Sequence, residues 1–209
     1  MADKVKKQKD RMKDLYEDCE FYRVPKEGKK GFKTVSVYCG QIYQADQTPQ
    51  ERRSYRIRFS VILVAIFVLY AVCCICSNPF NYTLYVGISE GLMLIGFSYI
   101  LVVWIIYLTA EREMRAYLYR MTSRRLIRAC EIATIFAGLC TGTVLIWIPI
   151  SGFASVGSAL LTTAGLALCG AGTRYLGKME AAVPYKVWQS TEQPPANGEK
   201  LDYESKNRK

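Results

Sequence analysis

The residues of this chain with chemical potential are the ionisable and thiol side chains that fall inside or beside long uncharged tracts. Glu90 is the clearest, standing alone between Phe59 and Ala110, a stretch with no other Lys, Arg, Asp or Glu. An ionisable group in hydrocarbon is expensive, which makes Glu90 a candidate for proton relay, cation binding or ion selectivity. Gly87 and Gly91 flank it in a Gly-x-x-x-Gly spacing. The competing expectation is structural, a carboxyl that is hydrated near the surface or hydrogen-bonded across a helix contact that the glycines make close.

Glu131 and Arg174 lie nearly equidistant from the Ser151-Gly152 turn, so two antiparallel helices would bring them to one depth. The expectation is a structural ion pair. Cys73, Cys74 and Cys76 could bind a soft metal or form disulfides. No methionine cluster or carboxylate accompanies them, and cysteine is also a small apolar helix residue, so packing is the stronger expectation. Cys19 and Cys39 do not complete a zinc site without further Cys or His ligands. Cys130, beside Arg128, is placed for acylation in a eukaryotic host.

The chain has 209 residues and no histidine, which excludes histidine triads, histidine metal sites and imidazole switches. No phosphate-binding glycine loop, paired-carboxylate motif or nucleophile elbow is present. Neither an enzyme nor a cofactor or metal site is expected.

The elements that position these residues follow from the segregation of charge. Mean hydropathy is only +0.05, which by itself describes a soluble domain. Residue order contradicts it: Phe59–Ser89, Gly91–Ala110 and Ile132–Thr173 are uncharged tracts. A helix needs about 17–25 apolar residues to cross about 30 Å of hydrocarbon. Four spans are predicted, at residues 59–75, 84–108, 132–150 and 156–176, with aromatic residues near their ends. Short breaks around Asn78-Pro79 and Ser151-Gly152 pair them into two helical hairpins. The fold class is therefore an all-α membrane protein, with residues 57–176 as its transmembrane domain.

Small residues are expected to hold the helices together: Gly87 and Gly91, Gly138 and Gly142, and Thr163, Ala167 and Ala171 at four-residue spacing, with Gly165 and Cys169 on the adjacent row. The same stripe could serve a homo-oligomer.

The 28 Lys and Arg divide as 15 up to Arg58, 6 in Thr109–Arg128 and 7 from Arg174 onward, leaving the other two connections without any. Positive charge marks the cytoplasmic side. Both termini and the central loop are expected in the cytoplasm of a plasma or inner membrane.

Residues 1–56 form a basic N-terminal region. Val5, Met12, Leu15, Tyr16 and Cys19 share one helical stripe, suited to an anionic membrane surface. Glu20–Val24 and Gly31–Tyr38 read as a β-hairpin. Thr109–Leu118 is expected to continue the second span with a Glu111–Arg115 pair, and Thr122 or Ser123 to cap the next helix. Residues 177–209 form a cytoplasmic tail, expected to be disordered after about 190.

The central loop carries Arg112, Arg115, Arg120, Arg124, Arg125 and Arg128, a basic surface for anionic lipid headgroups or a protein partner. Nucleic acid is not expected, since no recognition motif accompanies the charge. The leading expectation is a non-enzymatic accessory or scaffold subunit. The alternative is a small oligomeric transporter or channel using Glu90 for coupling or selectivity.

Overall fold

The computed structural model describes residues 18–25, 31–75, 83–150, 156–196 and 199–201. The helical stripe proposed for the extreme N-terminus lies outside them, apart from Cys19, and so does Cys76. The described chain divides into two compact units. One comprises Ala45–Glu111 and Arg120–Pro184; the other is built from residues up to Gln44, Arg112–Tyr119 and residues from Tyr185 onward.

The first unit consists of four helices, α1 (Pro49–Ile75), α2 (Leu84–Thr109), α3 (Arg125–Ile150) and α4 (Val156–Ala181), each long and apolar enough to cross a membrane. At about 1.5 Å per residue they exceed the hydrocarbon thickness, so charged turns extend beyond it. Helix α1 begins ten residues before the expected span because Thr48-Pro49-Gln50-Glu51 is a complete start signal. The Thr48 N–H donates to Glu51 Oε2 at 2.7 Å, the Glu51 N–H donates to Thr48 Oγ1 at 3.2 Å, and Pro49 occupies the first helical position.

Packing follows two modes. Helices α3 and α4 form the most extensive contact, and α2 against α3 and α1 against α4 are also closely apposed. Those three contacts are made by small residues. A Cβ on Gly96 would meet Ala133 and Phe136, one on Gly165 would meet Cys73, one on Gly170 would meet Ala137, and one on Gly177 would meet Cys130. The α1–α2 contact is made instead by rings, which hold the backbones apart. Phe59 stacks on Trp104 with centroids 3.9 Å apart, Tyr70 meets Phe97 edge-on at 5.2 Å, and Trp104 Nε1 donates to Ser60 Oγ at 3.1 Å.

The expected packing glycines are not the ones used. Added Cβ atoms at Gly87, Gly91, Gly138 and Gly142 would meet nothing within 4 Å. Ala167 and Ala171 are exposed, and Thr163 donates to its own helix at Ala159 O. The buried row of α4 runs instead through Thr162, Gly165, Cys169, Thr173 and Glu180. Both rows are rich in small residues, so spacing could not choose between them. Hydroxyl pairs cross the contacts as well, Thr134 with Thr173 at 3.0 Å and Ser89 with Thr143 at 2.9 Å.

The second unit is β-structured. Strands β1 (Cys19–Pro25) and β2 (Phe32–Tyr38) pair antiparallel from Cys19 opposite Tyr38 to Pro25 opposite Phe32, and β6 (Glu199–Lys200) lines the other edge of β1. Cys19 thus begins a strand. A second sheet places β3 (Gln41–Ala45) between β4 (Glu113–Arg115) and β5 (Tyr185–Gln189). Helix α2 stops at Thr109 because Ala110 is extended, and the following residues enter a sheet; the expected helical continuation and Glu111–Arg115 pair do not form. Arg115 lies over the Tyr38 ring at 4.9 Å and 3.7 Å from Glu192. A helical turn, Ala116–Tyr119, then leads into a π-helical segment, Arg120–Arg124, that joins α3 without an N-cap; Thr122 and Ser123 are buried. The tail is not wholly irregular, since β5 and β6 belong to these sheets.

The two glycine populations give a direct test. Gly170→Val should lower thermal stability in detergent by the roughly 1–3 kcal/mol of an overpacked contact, whereas Gly138→Val should leave the unfolding temperature nearly unchanged.

Candidate functional site

Among the described residues the most buried carboxyl is that of Glu180, 1% exposed near the end of α4. The Tyr55 hydroxyl of α1 donates to Glu180 Oε2. Tyr55 is itself buried among Phe59, Trp104 and Tyr107, with centroids 6.0–6.3 Å away. A carboxyl withdrawn from water needs partners of this kind, because an unsatisfied buried acceptor carries its full desolvation cost. From the same stretch of α1, Arg52 Nη2 donates to Ala110 O at 3.0 Å and Glu111 O at 2.9 Å, and Arg56 Nη2 donates to Ala110 O at 3.2 Å. These are carbonyls at and just beyond the C-terminus of α2, where unsatisfied backbone acceptors and the helix dipole both favour cations. The start of α1 therefore fastens the ends of α2 and α4.

Sequence reasoning passed over Tyr55, Glu180, Arg52 and Arg56 because they lie outside the uncharged tracts. A signal existed: Glu180 continues the row of Cys169, Thr173 and Gly177 at spacings of three and four. An acid at the end of a buried row is itself a candidate for burial.

Glu90 is half-buried on α2. Its backbone carbonyl accepts from the Tyr70 hydroxyl at 2.8 Å, and its Oε1 is buried with no hydrogen-bond partner among the described residues. Gly87 and Gly91 open away from the other helices. Glu131 and Arg174 line one groove between α3 and α4, together with Lys178. Both are exposed, and no ion pair joins them among the described residues. The structure brings the two to one site without the expected pairing.

Cys73, Cys130, Cys140 and Cys169 are buried in the helical unit and Cys74 is partly so; none is in a disulfide among the described residues. Among the described residues no cluster of three or more Cys, Asp or Glu side chains could hold a metal. In the β unit, Cys19 and Cys39 are also free. Burial pushes the Cys19 thiol up despite the nearby Arg115 guanidinium, which leaves little thiolate for nucleophilic chemistry. Burial likewise raises the Tyr38 phenol, whose oxygen accepts the Ala116 N–H at 3.0 Å. Hydrogen bonds from Lys200 and Tyr22 hold the Glu20 carboxyl below its ordinary range.

Arg112, Arg115, Arg120, Arg124, Arg125 and Arg128 are all exposed. The first two belong to the β unit and the other four to the helical unit. Searches against protein-family profiles, curated proteins and solved structures find no match to this chain.

Tyr55→Phe removes the hydroxyl and leaves the buried Glu180 oxygen short of a donor. It should destabilise the protein by about 1–3 kcal/mol in detergent unfolding. Adding Glu180→Gln should recover part of that loss, because a neutral amide is less costly to bury; an additive loss in the double variant would contradict the coupling.

Proposed function

We propose that this chain is a non-enzymatic accessory or scaffold subunit of a plasma or inner membrane, binding anionic lipid or a protein partner at its basic cytoplasmic surface. The observation that carries the reading is the composition of the β unit. Strands that precede α1, connect α2 to α3 and follow α4 hydrogen-bond into shared sheets. Strands cannot pair across a bilayer, which supports placing the three segments on one side. Together with the helix ends that adjoin them they hold all 28 Lys and Arg, and positive charge favours the cytoplasm.

A small β module assembled from three separate segments is an investment in a surface that can be recognised. The exposed arginines of the Arg120–Arg128 region lie where a helix end meets headgroups, each worth about 1 kcal/mol toward an anionic leaflet. No nucleic-acid partner is proposed. The test is extraction of the full-length protein in polymer-bounded native membrane discs, followed by lipid and protein analysis. Anionic lipid should be enriched over bulk membrane, and R120Q/R124Q/R125Q/R128Q should abolish the enrichment. A polypeptide co-isolated in fixed stoichiometry would favour the protein-partner form, and bulk lipid composition with no co-isolated polypeptide would refute both.

A second reading, a small oligomeric transporter or channel, is favoured by the buried, unpartnered Oε1 of Glu90. Four helices give little room for a pathway within one chain, so this reading needs assembly. A strictly monomeric mass in mild detergent would rule it out. A closed homo-oligomer whose cation flux in proteoliposomes disappears in Glu90→Gln would establish it.

A further inference from the structure

The groove between α3 and α4 near the shared end of these helices has a volume of about 480 Å³, within the roughly 300–1,000 Å³ of small-molecule sites. Arg174 and Lys178 stand one turn apart along α4, and Glu131 lines the groove from α3. The contacts of Thr134 with Thr173 and of Cys130 with Gly177 fix the relative level of the two helices. They place Glu131 between the levels of Arg174 and Lys178. None of the three has an ion-pair partner among the described residues, and all three are exposed. Ile127, Ile135 and Ala181 provide apolar wall, with Ile135 leading toward the midplane.

We propose that this groove binds a phosphatidylethanolamine-type lipid, with its phosphate between Arg174 and Lys178, its primary ammonium on Glu131 and an acyl chain along Ile135. The charge pattern selects this occupant. Two cations and one carboxylate around one groove match a headgroup bearing one anion and one hydrogen-bonding cation. A purely anionic headgroup leaves Glu131 opposed to negative charge. A phosphocholine headgroup has no N–H to donate, so it forfeits the charge-assisted bond to the carboxylate. The inference rests on the four helices being membrane spans but uses none of the six loop arginines.

The experiment is native mass spectrometry of the full-length protein in detergent micelles, titrated with dioleoyl phosphatidylethanolamine, phosphatidylglycerol or phosphatidylcholine at equal concentrations. Phosphatidylethanolamine adducts should exceed phosphatidylcholine adducts roughly tenfold, the weight of one charge-assisted hydrogen bond, and in the R120Q/R124Q/R125Q/R128Q background, where the surface arginines no longer collect anionic lipid, they should also exceed phosphatidylglycerol adducts. Glu131→Gln should erase the preference over both competitors, and R174Q/K178Q should reduce phosphatidylethanolamine and phosphatidylglycerol adducts alike. Lys178→Gln alone, a change at an exposed position, gives a milder version of the same loss. In the R120Q/R124Q/R125Q/R128Q background, equal binding of the three lipids, stronger phosphatidylglycerol binding, or a preference that survives Glu131→Gln would each overturn the proposal. The R120Q/R124Q/R125Q/R128Q variant should retain the adduct, so failure of the surface-lipid reading and failure of this site are separately visible.

Discussion

Hydrocarbon offers no hydrogen bonds to a peptide group, and the structure of the helical unit descends from that constraint. Each span must satisfy its own backbone, which makes it a helix; once helical, its side chains gain nothing from burial against one another that lipid tails would not also supply. Association then depends on how closely backbones approach and on polar groups that find partners inside. The α3–α4, α2–α3 and α1–α4 contacts use the first route through Gly170, Gly96 and Gly165. Thr134–Thr173 and Ser89–Thr143 add the second.

The α1–α2 contact shows what happens where small residues are missing. Phe59, Phe67 and Tyr70 face Phe97 and Trp104, and rings of that size fill the space that close backbone approach would have removed. The beginning of α1 supplies the polar complement. Tyr55 satisfies Glu180 on α4, and Arg52 and Arg56 hold carbonyls at the end of α2. One helix end thus organises two others.

Within the β unit, the same topology has a different consequence. The unit draws on segments before α1, between α2 and α3 and after α4, so parts distant in sequence become neighbours. β3 acquires neighbours from the central connection and from the tail, and β1 acquires β6. Ring contacts of Tyr119 with Tyr43 and with Tyr185 join all three segments. Composition read the tail after residue 190 as unstructured and the central connection as helical, because neither segment contains its own pairing partner. The β1–β2 pairing was legible for the opposite reason: the two strands lie close together in sequence.

The sequence by itself determined the number of spans, their ends at Ile75, Leu84, Ile150 and Val156, and the confinement of positive charge to three segments. These depend on the local balance of apolar and charged residues, which a linear reading measures directly. Only tertiary structure decided which of two small-residue rows on α4 is buried, whether Glu131 and Arg174 meet each other or a groove, and that Glu180 rather than Glu90 is the deeply buried carboxyl. Those outcomes depend on the rotation of each helix about its axis. Rotation is set by neighbours and leaves no trace in hydropathy when the competing faces are equally apolar.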